Sequence, residues 1–171
     1  MSVPSCFRSI SQELFTELFE MLCQGRHLAL IAPRQSGKAL VLYELRARGL
    51  QLTGADRPDV FVLRSLDFQG DTRTAFVEQF IERLGVSTAG LSRFPDQPLA
   101  SEILELLRHG VLQRRNPLWL FVQNITELAW PFARALLLAL QSASEDTEFR
   151  GKFAVAITGG HDFVPLTFDA N

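Results

Sequence analysis

Eight consecutive residues, Ala32-Pro33-Arg34-Gln35-Ser36-Gly37-Lys38-Ala39, carry the most chemistry in this sequence. They lie between a short apolar run and a segment with helical character. That is the context in which consecutive backbone N–H groups and a helix N-terminus form a concave anion site. Lys38 adds a full positive charge. Against the phosphate-loop pattern G-x-x-x-x-G-K-[ST], the segment keeps Gly37 and Lys38 and changes both ends. Ala32 replaces the first glycine, which is tolerable wherever φ stays negative. Ala39 replaces the hydroxyl residue that ligates Mg²⁺. Alanine is the best helix former, so the change keeps the helix start and deletes one piece of chemistry. The chain has 17 basic residues, of which only Lys38 and Lys152 are lysines, and one of these two follows Ser36-Gly37.

Such a loop must be held by a strand and a helix. His27 to Ala32 reads as a buried parallel strand, and Lys38 to Arg48 as a helix ended by Gly49. Upstream, Ser9 with Gln12 three residues later suggests a capping box. The helix it opens carries Leu14, Phe15, Leu18, Phe19 and Leu22 on one face and stops at Gly25. Val60 to Leu63 is a second strand. Asp71 can cap a helix bearing Phe76, Val77, Phe80, Ile81 and Leu84, closed by Gly85. Ile103, Leu104, Leu107 and Val111 mark another helix before the break at Asn116-Pro117. Leu118 to Val122 is a third strand, Pro131 opens a further helix, and Phe153 to Ile157 is a fourth strand. Alternating strands and helices specify an α/β domain with a mostly parallel sheet. His161 to Asn171 hold at most an edge strand.

On the loop Pro33-Arg34-Gln35-Ser36-Gly37-Lys38, and on the helix around Phe7-Arg8, Glu13-Leu14 and Leu18 ahead of the first strand, the chain resembles AAA-type P-loop ATPases, particularly the AAA-like and STAND-related groups. The resemblance runs from about Phe7 to Phe168, with the loop as its specific part. It implies a three-layer P-loop NTPase-like fold with sheet order 1-4-3-2. The family's second motif is an apolar strand ending in Asp-Glu. Here the matching positions are Gln123 and Asn124. In the family the Asp holds the Mg²⁺ shell and the Glu activates the attacking water. Amides keep the hydrogen-bonding shape but carry no charge and cannot act as a base near pH 7. Loss of a general base costs about 10²- to 10⁴-fold in rate. Glu127 is the nearby carboxylate, a turn late, and reads as a surface or capping residue with a relocated base as the alternative. Thr158, at the tip of the fourth strand, matches the family's phosphate sensor.

The resemblance also implies a fifth strand and a helical lid. Residues 1–171 therefore read as a single AAA-like domain that stops before both, either as a fragment or by loss of the lid. In both cases an apolar surface should lie open. The resulting expectation is a hydrolysis-deficient pseudo-ATPase with a regulatory or scaffolding role through protein contacts. Its nucleotide-binding residues would be Pro33 to Ala39, holding ATP or ADP weakly and independently of Mg²⁺. The alternative is an active AAA or STAND-type ATPase with relocated metal ligands.

Composition sets the remaining bounds. Of 171 residues, 47% are hydrophobic and 21% charged, which excludes a disordered chain. A mean hydropathy of +0.09 and 14 Phe against one Tyr point to a Phe-packed core or to an apolar face that a partner covers. No secretion signal opens the chain, and Cys6 and Cys23 have neither metal nor redox spacing, so a cytoplasmic setting is expected. A net charge of −2 argues against a nucleic-acid module. The partners expected are a protein or a second copy of the chain, with no nucleic acid and no membrane. His27, His109 and His161 lack ligand spacing, and no metal is expected. Arg108, Arg114 and Arg115 lie where cations suit a helix C-terminus.

Overall fold

The computed structural model describes residues 11–68, 72–87 and 96–160. In chain order the elements are α1 (Gln12–Cys23), β1 (Leu28–Ile31), α2 (Lys38–Leu50), β2 (Asp59–Arg64), α3 (Arg73–Leu84), α4 (Leu99–Leu112), β3 (Leu118–Gln123), α5 (Trp130–Glu145) and β4 (Phe153–Gly159). The four strands form one parallel sheet in the order β1-β4-β3-β2. This is the sheet order expected from the resemblance.

Period-two alternation divides the strands between two cores. Leu118, Leu120 and Val122 of β3, with Phe153, Val155 and Ile157 of β4, face α3, α4 and α5. Trp119 and Phe121 of β3, with Ala154 and Ala156 of β4, face α1 and α2. With both faces covered, β3 and β4 are apolar at almost every position, which is why they read as unbroken runs. Much of the phenylalanine is accounted for here: Phe76, Phe80, Phe121 and Phe153 are among the largest fully buried side chains. Leu40 and Tyr43, on α2, are 49% and 65% exposed.

Three local expectations need correction. Ser9 lies outside the described residues, and the cap of α1 is Ser11, whose hydroxyl accepts from the Leu14 N–H at 3.2 Å. Asp71 likewise lies outside the described residues, and the cap of α3 is Thr72, with Oγ1 accepting from the Ala75 N–H at 3.3 Å. Gly49 does not end α2; the helix continues through Leu50. A Cβ on Gly49 would fall 2.5 Å from the Trp119 ring and 3.3 Å from Pro58. The glycine is there for a close helix–sheet approach. Trp119 is 2% exposed and wedged edge-on against Phe19 and Phe121, so its ring has little room to retreat. Gly49→Ala should therefore destabilise by about 1–3 kcal/mol despite alanine's better helix propensity. A thermal melt checks this, and a rise in Tm would contradict the packing described.

Gly25 and Gly85 behave as helix stops, with φ of 72° and 58°. Arg114 also does what its place suggested. Its guanidinium donates to the last carbonyls of two helices, Gly110 O of α4 and Leu84 O of α3, both at 2.5 Å. Arg108 instead enters an ion cluster with Glu105, Asp146 and Glu148. The Asp146 carboxyl is held below the usual range by the Arg108 hydrogen bond first, then by the Glu148 N–H.

Candidate functional site

The loop between β1 and α2 bends through two positive-φ residues. Gly37 caps α2 at φ 85°, where glycine meets no steric penalty. Gln35 sits at φ 60° with a full side chain, a conformation that costs about 1–2 kcal/mol for an L-residue. The Leu40 N–H already donates to Gly37 O at 2.9 Å, which leaves the Lys38 and Ala39 N–H groups at the start of α2 for an anion. Lys38 is folded onto the loop itself. Its Nζ donates to the carbonyls of Ala32 and Pro33, each at 2.6 Å, and lies 3.3 Å from the Ser36 hydroxyl. An ammonium has three donors, and all three are engaged here. Partial burial lowers the Lys38 pKa from its ordinary value. A phosphate entering the loop must therefore take donors from these carbonyls.

Above the loop lies a cleft of about 800 Å³, lined by Arg34, Gln35, Ser36, Gly37, Lys38, Ala39 and Leu40 from one side and by Asn124, Thr126, Glu127 and Gly160 from the other. The end of β3 thus comes to the loop. Of the residues singled out in the sequence, Pro33, Gln123 and Thr158 do not line the cleft. Pro33 contributes its carbonyl to Lys38. Gln123 ends β3 in register with Arg64 of β2. Thr158 is 2% exposed, and its hydroxyl accepts from the Asn124 N–H at 3.0 Å.

That hydrogen bond holds Asn124 in an unusual backbone state, φ 55° and ψ 48°. Asparagine tolerates this left-handed region better than most side chains, so the residue suits its backbone as well as its place in the cleft. Glu127 carries the carboxylate that lines the cleft. It accepts from the Ser65 hydroxyl at 3.1 Å and lies 4.0 Å from the Arg34 guanidinium. Ser65 and Thr126 were not singled out beforehand. Neither belongs to a recognisable local pattern, and sheet order alone brings Ser65 to Glu127. Nucleotide phosphate fits the donors of the loop. For a divalent cation the cleft offers one carboxylate, Glu127, and the neutral amide oxygen of Asn124, while Ala39 has no oxygen on its side chain. Among the described residues no three His, Cys, Asp or Glu side chains converge as metal ligands.

No family model matches the chain, and no curated protein matches it in sequence. Solved structures do. Cdc6p from Pyrobaculum aerophilum superposes with a TM-score of 0.62 at 18% identity, over 99% of this chain and 43% of that one. The ORC2 protein of Aeropyrum pernix, solved as ADPNP-ADP complexes, gives 0.56 at 11% identity, over 93% of this chain and 43% of that one. The fold is that of the AAA+ P-loop ATPases. The Aeropyrum pernix ORC1 protein in complex with DNA also matches, with a TM-score of 0.55 at 16% identity, over 96% of this chain and 43% of that one. The chain spans 43% of the length of each of these neighbours.

The ORC1 complex corrects one expectation. Nucleic acid was excluded on net charge, yet a protein of this fold is seen on DNA. Net charge sums over the whole surface, whereas phosphate contacts depend on where the cations stand. No helix among the described residues is long and apolar enough to cross a membrane.

Proposed function

We propose that this chain is a hydrolysis-deficient P-loop domain. It binds nucleotide or phosphate weakly and without dependence on Mg²⁺, and serves a regulatory or scaffolding role through protein contacts. The observation that carries this reading is the composition of the cleft where the end of β3 meets the loop. It offers Lys38 and the α2 N-terminus to an anion, but beside the single carboxylate Glu127 it has the alanine Ala39 and the neutral amide of Asn124 where a metal and a base would be needed. Because Lys38 is already satisfied by Ala32 O and Pro33 O, an incoming phosphate gains only the difference between two sets of hydrogen bonds. Weak affinity follows. The exposed Leu40 and Tyr43, beside the loop on α2, supply apolar area for a protein contact.

Calorimetric titration with ADP, with and without Mg²⁺, tests the reading together with a phosphate-release assay. Equal affinity in both titrations is expected, with a Kd in the high micromolar range or weaker. Lys38→Ala should weaken binding by no more than about 10-fold, because exchanging one set of hydrogen bonds for another retains less than the about 1.5–3 kcal/mol of a full charge-assisted contact. Tight Mg²⁺-dependent binding would overturn the proposal.

A second reading, an ATPase with relocated ligands, is favoured by one observation: Glu127 reaches the cleft. Phosphate release that is lost in both Lys38→Ala and Glu127→Gln would establish that reading instead.

A further inference from the structure

The two cations of the cleft differ in their surroundings. Lys38 has hydrogen-bond partners but no carboxylate beside it. Arg34 is 88% exposed and faces the Glu127 carboxylate across the cleft at 4.0 Å. Among the described residues that line the cleft, Glu127 is the one carboxylate. It is held from two sides. Its backbone closes the one-turn 3-10 segment Ile125–Glu127, where the Glu127 N–H donates to Asn124 O at 2.8 Å and Ile125 is buried in the larger core. Its two carboxylate oxygens then point to different partners: Oε2 accepts from the Ser65 hydroxyl at 3.1 Å, and Oε1 faces Arg34.

An ion pair this exposed adds little to the stability of the fold. Its effect falls on whatever enters the cleft. Arg34 and Glu127 together present no net charge, which leaves the charge of Lys38 uncompensated. One phosphoryl group against the Lys38 and Ala39 N–H groups answers that charge. A longer phosphate chain continues between the two walls, where Glu127 repels it about as strongly as Arg34 attracts it. Among the described residues no cluster of metal ligands converges to screen the added charge.

Building on the phosphate-binding loop proposed above, we infer that Glu127 is the specificity-determining residue of this cleft: it masks Arg34, so that one phosphoryl group is recognised and a longer phosphate chain gains no affinity. This role is the opposite of a relocated base. A base has to reach the attacking water, and its removal costs activity. A mask has only to offset Arg34, and its removal adds affinity for anions. The gain grows with the charge of the ligand. Unmasking a unit charge about 5 Å from a ligand charge is worth about 4-fold in affinity in bulk water and more in a cleft. Arginine suits the exposed role, because its planar fork takes phosphate oxygens in pairs once the carboxylate is gone.

The test is a set of NMR titrations of the 171-residue chain with inorganic phosphate, pyrophosphate and tripolyphosphate, in EDTA and at constant ionic strength. In wild type the three dissociation constants should agree within about 3-fold. AMP, set beside inorganic phosphate, tells a nucleoside ester from the free ion, and either presents the single group inferred. E127Q should tighten tripolyphosphate by about 10-fold or more and phosphate by less than about 3-fold. R34Q/E127Q should return to a level series, because the unmasked cation is then gone. Both variants change exposed side chains, and unchanged resonances away from the cleft confirm their folds. A wild-type series that climbs about 10-fold from phosphate to tripolyphosphate would overturn the inference. So would an E127Q series that stays level, or a gain in E127Q that persists in R34Q/E127Q. These three outcomes leave phosphate binding by the loop intact. Absence of saturable shifts with every anion, in wild type and E127Q alike, would remove that reading and the masking role with it.

Discussion

Phe76→Ala is expected to remove about 3–5 kcal/mol of stability. The Phe76 side chain is 1% exposed and stands between two other rings, Phe132 at 4.8 Å and Phe68 at 4.7 Å, with Phe80 at 6.2 Å. It thereby ties α3 to α5 and to the turn after β2 across the larger core. Truncation deletes the central ring of this stack. Its neighbours cannot close the gap without moving two helices, so most of the cavity cost should persist. A domain's total stability is about 5–15 kcal/mol, which makes the loss a large share of the whole. Urea denaturation should show the midpoint falling with the slope unchanged. Tm should drop by roughly 6–20 °C, at about 2–4 °C for each kcal/mol. A loss below about 1 kcal/mol would mean that α3 does not pack as described.

The same core shows why so much of the fold was legible. Strands buried on both faces must be apolar at nearly every position, and β3 and β4 announce themselves by that alone. Exposed helices keep one apolar stripe, which located α1, α3 and α4. Legibility fails where two residues offer the same local chemistry. Asp71 and Thr72 are both good caps, and only the bond from the Ala75 N–H chooses between them. It fails again where packing overrides propensity. Gly49 signals a helix end to a local reading, but its cause is Trp119, 70 residues downstream.

The loop side of the cleft was legible, because the turn between β1 and α2 is built from consecutive residues. The far side was only half legible. Asn124 was read as the loss of a base, and its left-handed backbone adds a second reason for its identity, which sequence cannot display. The hydrogen bond between Ser65 and Glu127 spans 62 positions and follows from the neighbouring of β2 and β3.

If three side chains account for the proposed loss of hydrolysis, restoring them should restore turnover, and the backbone dictates the order. Ala39→Thr returns a hydroxyl to the first turn of α2 for a helix-propensity cost below about 1 kcal/mol. Gln123→Asp acts at the end of β3, where φ is not positive. This pair should turn nucleotide binding Mg²⁺-dependent, with ADP affinity rising several-fold in the presence of the metal while turnover stays low. Asn124→Glu is costlier, because a glutamate at φ 55° carries about 1–2 kcal/mol of strain. The Thr158 bond to the Asn124 N–H involves only backbone on that side and survives the change. The triple variant should therefore fold, with a slightly lower Tm, and release phosphate about 10²- to 10⁴-fold faster than wild type, the range that one general base supplies. Adding Lys38→Ala should abolish the gain. A triple variant that binds Mg²⁺-ADP yet turns over no faster than wild type would remove Asn124 from the explanation. It would place the deficit in the satisfied state of Lys38, whose ammonium prefers the carbonyls of Ala32 and Pro33 to a transferring phosphate.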